Sequence, residues 1–315
     1  MLAARAIGWG QDPVLEEIPT PEPGSGETLV EVAAAPCVHF DLSVMSGNFF
    51  ANPDLPFTPG HEGTGKVVES ATHAAGAAVR LRAGPVGLTR DGTWAQFVVV
   101  PDGELEPLSA AADLQLAAAY QSPCATAHAA LRLVGNLQPG QSVAVTGGSG
   151  CVASVTAQLA LRLGASRVVA FHRDPAQRDL IPAGVEAVVW TGSDCLAPFE
   201  GEDGFDLVVE VLGGDVLAQF ATRATKPGGL VAVVGYAASE DLSIYIPDLL
   251  HANVTISPVN LIRLADAIPP SSELLAEVER GDLHLHTQAF PLTELPTALE
   301  MLRSGTAGGR VVLTP

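Results

Sequence analysis

The chain has 315 residues, 47% of them hydrophobic, enough to bury a large core and to form two domains. Its formal net charge of −19 opposes phosphate polyanions and anionic membrane surfaces, so nucleic-acid and membrane partners are excluded and any cationic binding patch must be local. No apolar run reaches membrane-spanning length, Met1-Leu2-Ala3-Ala4-Arg5 leads into a strand without a signal-peptide core, and Cys37, Cys124, Cys151 and Cys195 show no paired Cys-x-x-Cys spacing. The expectation is a cytoplasmic protein with reduced thiols.

In chain order, residues 14–18 and 28–32 alternate as strands around a Pro- and Gly-rich turn and open a small β-rich domain. Pro59-Gly60-His61-Glu62-Gly63 precedes a further strand, and a strand pair near 79–81 and 94–100 completes the domain. Residues 113–134 carry helical apolar spacing. The stretch 143–173 then reads strand, glycine turn, helix, strand: Val143 and Val145 alternate, Gly147-Gly148-Ser149-Gly150 breaks the chain, and Val152, Val155, Leu159 and Leu163 follow at helical spacing. Strands at 185–190, 205–210 and 230–235 alternate with a helix at 215–224. Further strands are expected at 243–246 and 254–259, helices at 272–280 and 295–304, and a last strand at 309–313. This alternation predicts a doubly wound parallel sheet over 119–255, an α/β arrangement.

The turn Gly147-x-x-Gly150-x-x-Ala153 has the small residues that let backbone amides approach a pyrophosphate at a helix N-terminus. The tip of the second strand indicates which dinucleotide. An NAD site usually places a carboxylate there for the ribose 2′-hydroxyl; this chain has His172-Arg173, which suits a 2′-phosphate and predicts NADP. Asp174 is the competing carboxylate. Gly235 and Tyr236 end a parallel strand, where ligands collect on such sheets.

From end to end the chain resembles the medium-chain dehydrogenase/reductase superfamily. The resemblance is carried by Pro21-Glu22-Pro23-Gly24, Gly60-His61-Glu62-Gly63, Thr126-Ala127, the Gly-Gly-x-Gly turn, Lys226-Pro227-Gly228-Gly229 and Gly309-Arg310-Val311-Val312-Leu313. It implies a GroES-like catalytic domain of residues 1–118, completed by 256–315, with a Rossmann cofactor domain, residues 119–255, inserted between. It also implies a homodimer formed through the cofactor domain. Thr126 would lie beside the nicotinamide, Ser149, Gly150, Cys151 and Val152 would bind pyrophosphate, and Arg310 would stand near the cofactor.

The departures from that pattern bear on chemistry. The zinc ligands of the related alcohol dehydrogenases fall on Val38, His61 and Ser122; Val has no donor atom and a serine hydroxyl is a poor substitute for a thiolate, so no zinc is expected. The structural-zinc lobe is missing too. The relay hydroxyl falls on Phe40, and the tyrosine acid of related enoyl reductases falls on Phe49. What remains resembles the zinc-independent quinone oxidoreductase branch, which implies an NADPH-dependent reductase of a conjugated carbonyl on a small molecule. A tailoring reductase, a nonredox nucleotide-binding protein and a zinc alcohol dehydrogenase are the competing readings. His39, Asp41 and His61 would form a general-acid relay or persist as relics of a metal site. Phe40, Phe49, Phe50 and Phe57 would line an aromatic substrate pocket or belong to the core.

Overall fold

The computed structural model describes residues 1–48, 52–82, 84–199, 201 and 203–315. The chain forms two compact units, Met1–Ala119 with Thr287–Pro315, and Tyr120–His286. The first unit begins with β1 (Leu2–Arg5) paired antiparallel to β2 (Val14–Glu17), then β3 (Glu27–Cys37) and the short helix α1 (His39–Met45). It continues through β4 (Gly63–Glu69), β5 (Ala78–Leu81), β6 (Phe97–Pro101), β7 (Leu105–Pro107) and α2 (Leu114–Ala119). The strands expected at 79–81 and 94–100 do not pair with each other: β5 lies between β4 and β7, and β6 pairs with β3. Helix α1 was not expected, because seven residues are too few to show a helical period.

The helix expected over 113–134 is broken. Gln121–His128 forms a separate helix α3, followed by a π-helical stretch Ala129–Val134. Pro123 has no backbone N–H to donate to the carbonyl four residues back, at Ala119, which prevents α2 from continuing. The second unit then runs β8 (Ser142–Thr146), α4 (Cys151–Arg162), β9 (Arg167–His172), β10 (Glu186–Val189), β11 (Phe205–Glu210), α5 (Gly214–Gln219) and β12 (Thr225–Val233). It closes with α6 (Ile246–Ala252), β13 (Thr255–Pro258) and α7 (Ser271–Glu279). Residues 243–246 are not a strand: the segment leads into α6, whose first turn holds Pro247.

The strand order of this unit is β10-β9-β8-β11-β12-β13, with every pair parallel. The chain moves outward in one direction from β8 and then crosses to β11 to move in the other, so the order reverses between β8 and β11. That is the switch point where ligands bind on open parallel sheets. Strands β8 and β11 are buried on both faces, and Phe171, Phe205 and Phe220 meet edge to face beside them.

Residues 256–286, expected in the first domain, belong to this unit. β13 is hydrogen-bonded to β12, and α7 is tied to α3 by the Tyr120 hydroxyl donating to the Ser271 carbonyl at 3.0 Å and by His128 Nε2 at 3.0 Å from Glu277 Oε2. The chain then returns to the first unit with β14 (Thr287–Pro291), α8 (Leu295–Ser304) and β15 (Arg310–Thr314). There β14-β15-β3-β4-β5-β7 form one sheet around a core that includes Val30, Leu81, Trp94, Val100 and Leu313. No helix among the described residues is long and apolar enough to cross a membrane.

Candidate functional site

In the second unit, β8 ends at Thr146 and the chain turns through Gly147-Gly148-Ser149-Gly150 into α4. Gly150 N donates to Gly147 O at 2.8 Å, and Gly148 N donates to Phe171 O at 2.8 Å, which stitches the turn to β9. A Cβ on Gly148 would stand 2.8 Å from the Ala170 Cβ, so the position admits no side chain without a shift. Gly150 caps α4 in extended conformation, and the helix opens with Cys151 and Val152. A helix start of this kind directs backbone N–H groups and the positive end of the helix dipole at an anion. The Ser149 hydroxyl donates to Gln177 Oε1 at 2.7 Å.

At the tip of β9, His172 is only 1% exposed. Its Nδ1 lies 3.0 Å from the Asp174 carbonyl, which can only accept, so Nδ1 carries a proton. Its Nε2 is buried without a hydrogen-bond partner, a cost that a ribose hydroxyl of a ligand would remove by donating to it, whereas a phosphate oxygen would need the ring to carry a second proton. Arg173 beside it is exposed. Asp174 Oδ1 accepts from Ala176 N at 2.9 Å and caps the 3-10 turn Pro175–Leu180, so this carboxylate is engaged in local structure. These residues fit a dinucleotide: a glycine turn, a helix start, an orphaned buried imidazole nitrogen and an exposed cation at the tip of the second strand. Thr126 is buried in α3, while Gly235 and Tyr236 follow β12, with Tyr236 exposed.

In the first unit, α1 places Asp41 where Val38 N donates to its Oδ2 at 3.0 Å. Its Oδ1 lies 2.7 Å from His61 Nδ1, and the His61 backbone N donates to the same oxygen at 3.3 Å. A carboxylate only accepts, so the His61 proton sits on Nδ1 and Nε2 is the other exchanging nitrogen. Burial pulls the His61 imidazole down, but the Asp41 charge and hydrogen bond, with help from Glu62, outweigh it and leave its pKa raised. Burial lowers the pKa of His39. The structure brings Asp41 and His61 together, and it gives His39 no hydrogen bond to either. The Phe40 ring meets the His61 ring edge-on, centroids 4.6 Å apart. Glu62 and Arg310, the first residue of β15, form a buried ion pair that the sequence offered no local pattern to find. Phe57 is a core residue, packed with the buried apolar cluster and 6.0 Å from the Trp9 ring, rather than a pocket wall. Phe49 and Phe50 lie outside the described residues.

A catalytic zinc does not fit the donors present. Val38 offers only its backbone to the N-terminus of α1, His61 Nδ1 is engaged by Asp41, and Cys37 is buried in the core with its thiol pKa pushed well up by burial. Among the described residues no three His, Cys, Asp or Glu side chains stand together to hold a metal ion.

Two family models match the chain: Alcohol dehydrogenase GroES-like domain over residues 24–110, and Zinc-binding dehydrogenase over residues 151–277. Alcohol dehydrogenase 1 of Emericella nidulans is 26% identical over 333 residues, covering 95% of this chain and 93% of that protein. The quinone oxidoreductase-like protein 2 homolog of Nematostella vectensis is 28% identical over 222 residues, 68% of this chain and 60% of that protein. The quinone oxidoreductase of Thermus thermophilus, whose structure was also solved in complex with NADPH, superposes with a TM-score of 0.81 at 25% identity over 100% of both chains.

Proposed function

Because the chain belongs to the medium-chain dehydrogenase/reductase superfamily and is an oxidoreductase, we propose that it reduces a conjugated carbonyl, a quinone or an enone, with NADPH and without zinc. The observation that carries the choice of cofactor is the tip of β9. There Asp174 caps Ala176 through Oδ1, whereas the exposed Arg173 remains to meet a 2′-phosphate, and the orphaned His172 Nε2 would join it only as a protonated ring. When bound, NADPH would supply a hydride from its nicotinamide. The turn at Gly147, Gly148, Ser149 and Gly150, with Cys151 and Val152, would hold the diphosphate. Thr126, Gly235 and Tyr236 are proposed to flank the rest of the cofactor, and Arg310, expected near the cofactor from the resemblance, is held in its buried pair with Glu62.

The chain's own part in the chemistry is orientation and proton supply. Asp41 keeps a proton on His61 Nδ1, which leaves Nε2 to deliver one to the reduced acceptor, and Phe40 offers an apolar wall beside that ring. His39 is left out of this path. A zinc alcohol dehydrogenase is the second reading, favoured by the names of relatives such as Alcohol dehydrogenase 1 and opposed by the donor set. We further propose a cytoplasmic homodimer formed through the cofactor unit. β13 is the last strand of its sheet, and the same unit exposes the large apolar residues Tyr245, Ile246, Leu250 and Ile262.

The experiment is NADPH oxidation by metal-analysed protein against a panel of quinones, enones and simple ketones. The proposal expects turnover with conjugated acceptors at substoichiometric metal. Activity that tracks one bound zinc per chain, or none with any conjugated acceptor, would sink it.

A further inference from the structure

We propose that Glu210 and Thr146 form a polar bridge across the switch point of the parallel sheet and that this bridge positions the glycine turn for a dinucleotide's diphosphate. The inference rests on the dinucleotide reading above. Glu210 ends β11, a strand otherwise made of apolar residues apart from Asp206, and none of its surface is exposed. A carboxylate in such a place is costly unless every lone pair finds a donor.

The donors come from two different turns. Glu210 Oε1 accepts from the Thr146 hydroxyl at 2.9 Å and from Leu212 N at 2.8 Å, and Oε2 accepts from Gly213 N at 2.9 Å. Thr146 in turn accepts at its own oxygen from Val211 N at 2.9 Å. Thr146 is the last residue of β8 and stands directly before Gly147, while 211–213 lead from β11 into α5. One carboxylate therefore fixes both the turn that begins the glycine loop and the turn on the opposite side of the strand-order reversal.

The second turn has little freedom of its own. Gly213 has φ +76, and a Cβ there would lie 2.2 Å from the Ser239 carbonyl oxygen. A valine at 210 would pack as well as its strand neighbours and bury no charge. What it could not do is bind the ends of β8 and β11 together. The bonds run through uncharged groups, a hydroxyl and backbone amides, whose directions are set by the backbone, so they serve to fix geometry.

Thr146 lies one residue from the turn and is not itself placed against the cofactor, so the pair acts as positioning residues. The test compares Thr146→Val, which keeps the branched shape and removes the hydroxyl, with Thr146→Ser, which restores it, and with Glu210→Gln. Each is titrated with NADPH and with adenosine 2′-monophosphate, which carries the 2′-phosphate but no diphosphate, and each is melted without ligand. The expected result is that Thr146→Val and Glu210→Gln weaken NADPH by about tenfold, the scale of one hydrogen bond. Thr146→Ser should stay near wild type, and adenosine 2′-monophosphate affinity should hold in all of them. NADPH affinity unchanged in Thr146→Val and Glu210→Gln overturns the proposal. So does an equal loss for both ligands that follows the loss of melting temperature, which would mark a purely structural role. If the wild type prefers NADH, the NADPH reading fails while the same comparison, run with NADH and with adenosine, which carries no 5′-phosphate, still decides the bridge. If the wild type binds neither dinucleotide, both fall.

Discussion

Asp41 and Glu210 are carboxylates with 2% and 0% of their surface exposed, yet Asp41 meets an imidazole and Glu210 meets only hydroxyl and amide protons. The first unit sets buried carboxylates against opposite charges, Asp41 against His61 and Glu62 against Arg310. The second unit holds its buried carboxylate on dipoles. Paired charges shift each other's proton affinity and suit a place where a proton moves, whereas fixed dipoles suit a place where a backbone must stay still. The two arrangements therefore answer differently to mutation and to pH.

The largest effect should come from breaking the ion pair of the first unit. Arg310→Met leaves Glu62 buried without its guanidinium, and a loss of about 3–5 kcal/mol in unfolding free energy is expected by urea denaturation. Adding Glu62→Gln should recover a good part of it, and failure to recover would mean that packing, not charge, dominates there.

The next effect separates the two carboxylates by pH. The folded His61 pKa is raised from the ordinary 6.5, so the stability it draws from Asp41 is fully present below about that pH and is lost as pH rises through the folded value. Asp41→Asn should cost about 1–3 kcal/mol at pH 6, with the gap narrowing as the medium becomes alkaline. Burial, opposed by the Gly213, Leu212 and Thr146 donors, raises the Glu210 carboxyl from 4.5. Its contribution relative to Gln has the same sign in a lower window: greatest below about 4.5 and falling as pH climbs through the folded value. Unfolding curves of wild type, Asp41→Asn and Glu210→Gln at several pH values check both. A gap that widened with pH in either variant would reverse the assignment.

The smallest effect on the fold belongs to Arg173. Because it is exposed, Arg173→Ala should leave the melting temperature within a degree or two while costing about tenfold in NADPH affinity and little in NADH affinity. Equal losses for the two cofactors would remove its role at the 2′-phosphate.

The parts legible in the sequence are those encoded by neighbouring residues. Val143 and Val145, the glycine run, and Val155 and Leu159 on one helix face specify strand, turn and helix within two dozen positions, and the structure forms β8, the turn and α4 there. The parts that were not legible depend on contacts across the chain. Nothing near Ser271 or Glu277 announces that α7 packs on α3, so the unit boundary at 286 lay beyond local reading. Glu62 and Arg310 are 248 positions apart, and Glu210 at the end of an apolar run gave a signal only in hindsight of Thr146. Of His39, Asp41 and His61, expected together as a relay or a relic, the fold brings Asp41 and His61 to 2.7 Å because α1 and the loop before β4 converge on the end of β3. Phe57 packs in the core, a placement that sequence spacing alone does not separate from an aromatic pocket.

The most direct test of the account is a titration of the purified protein with NADPH and, separately, with NADH, followed by tryptophan fluorescence or heat of binding. Binding of NADPH at least about tenfold tighter, a difference of ~1.4 kcal/mol, is the predicted result. NADH binding equally well or better would contradict the reading of His172, Arg173 and the committed Asp174.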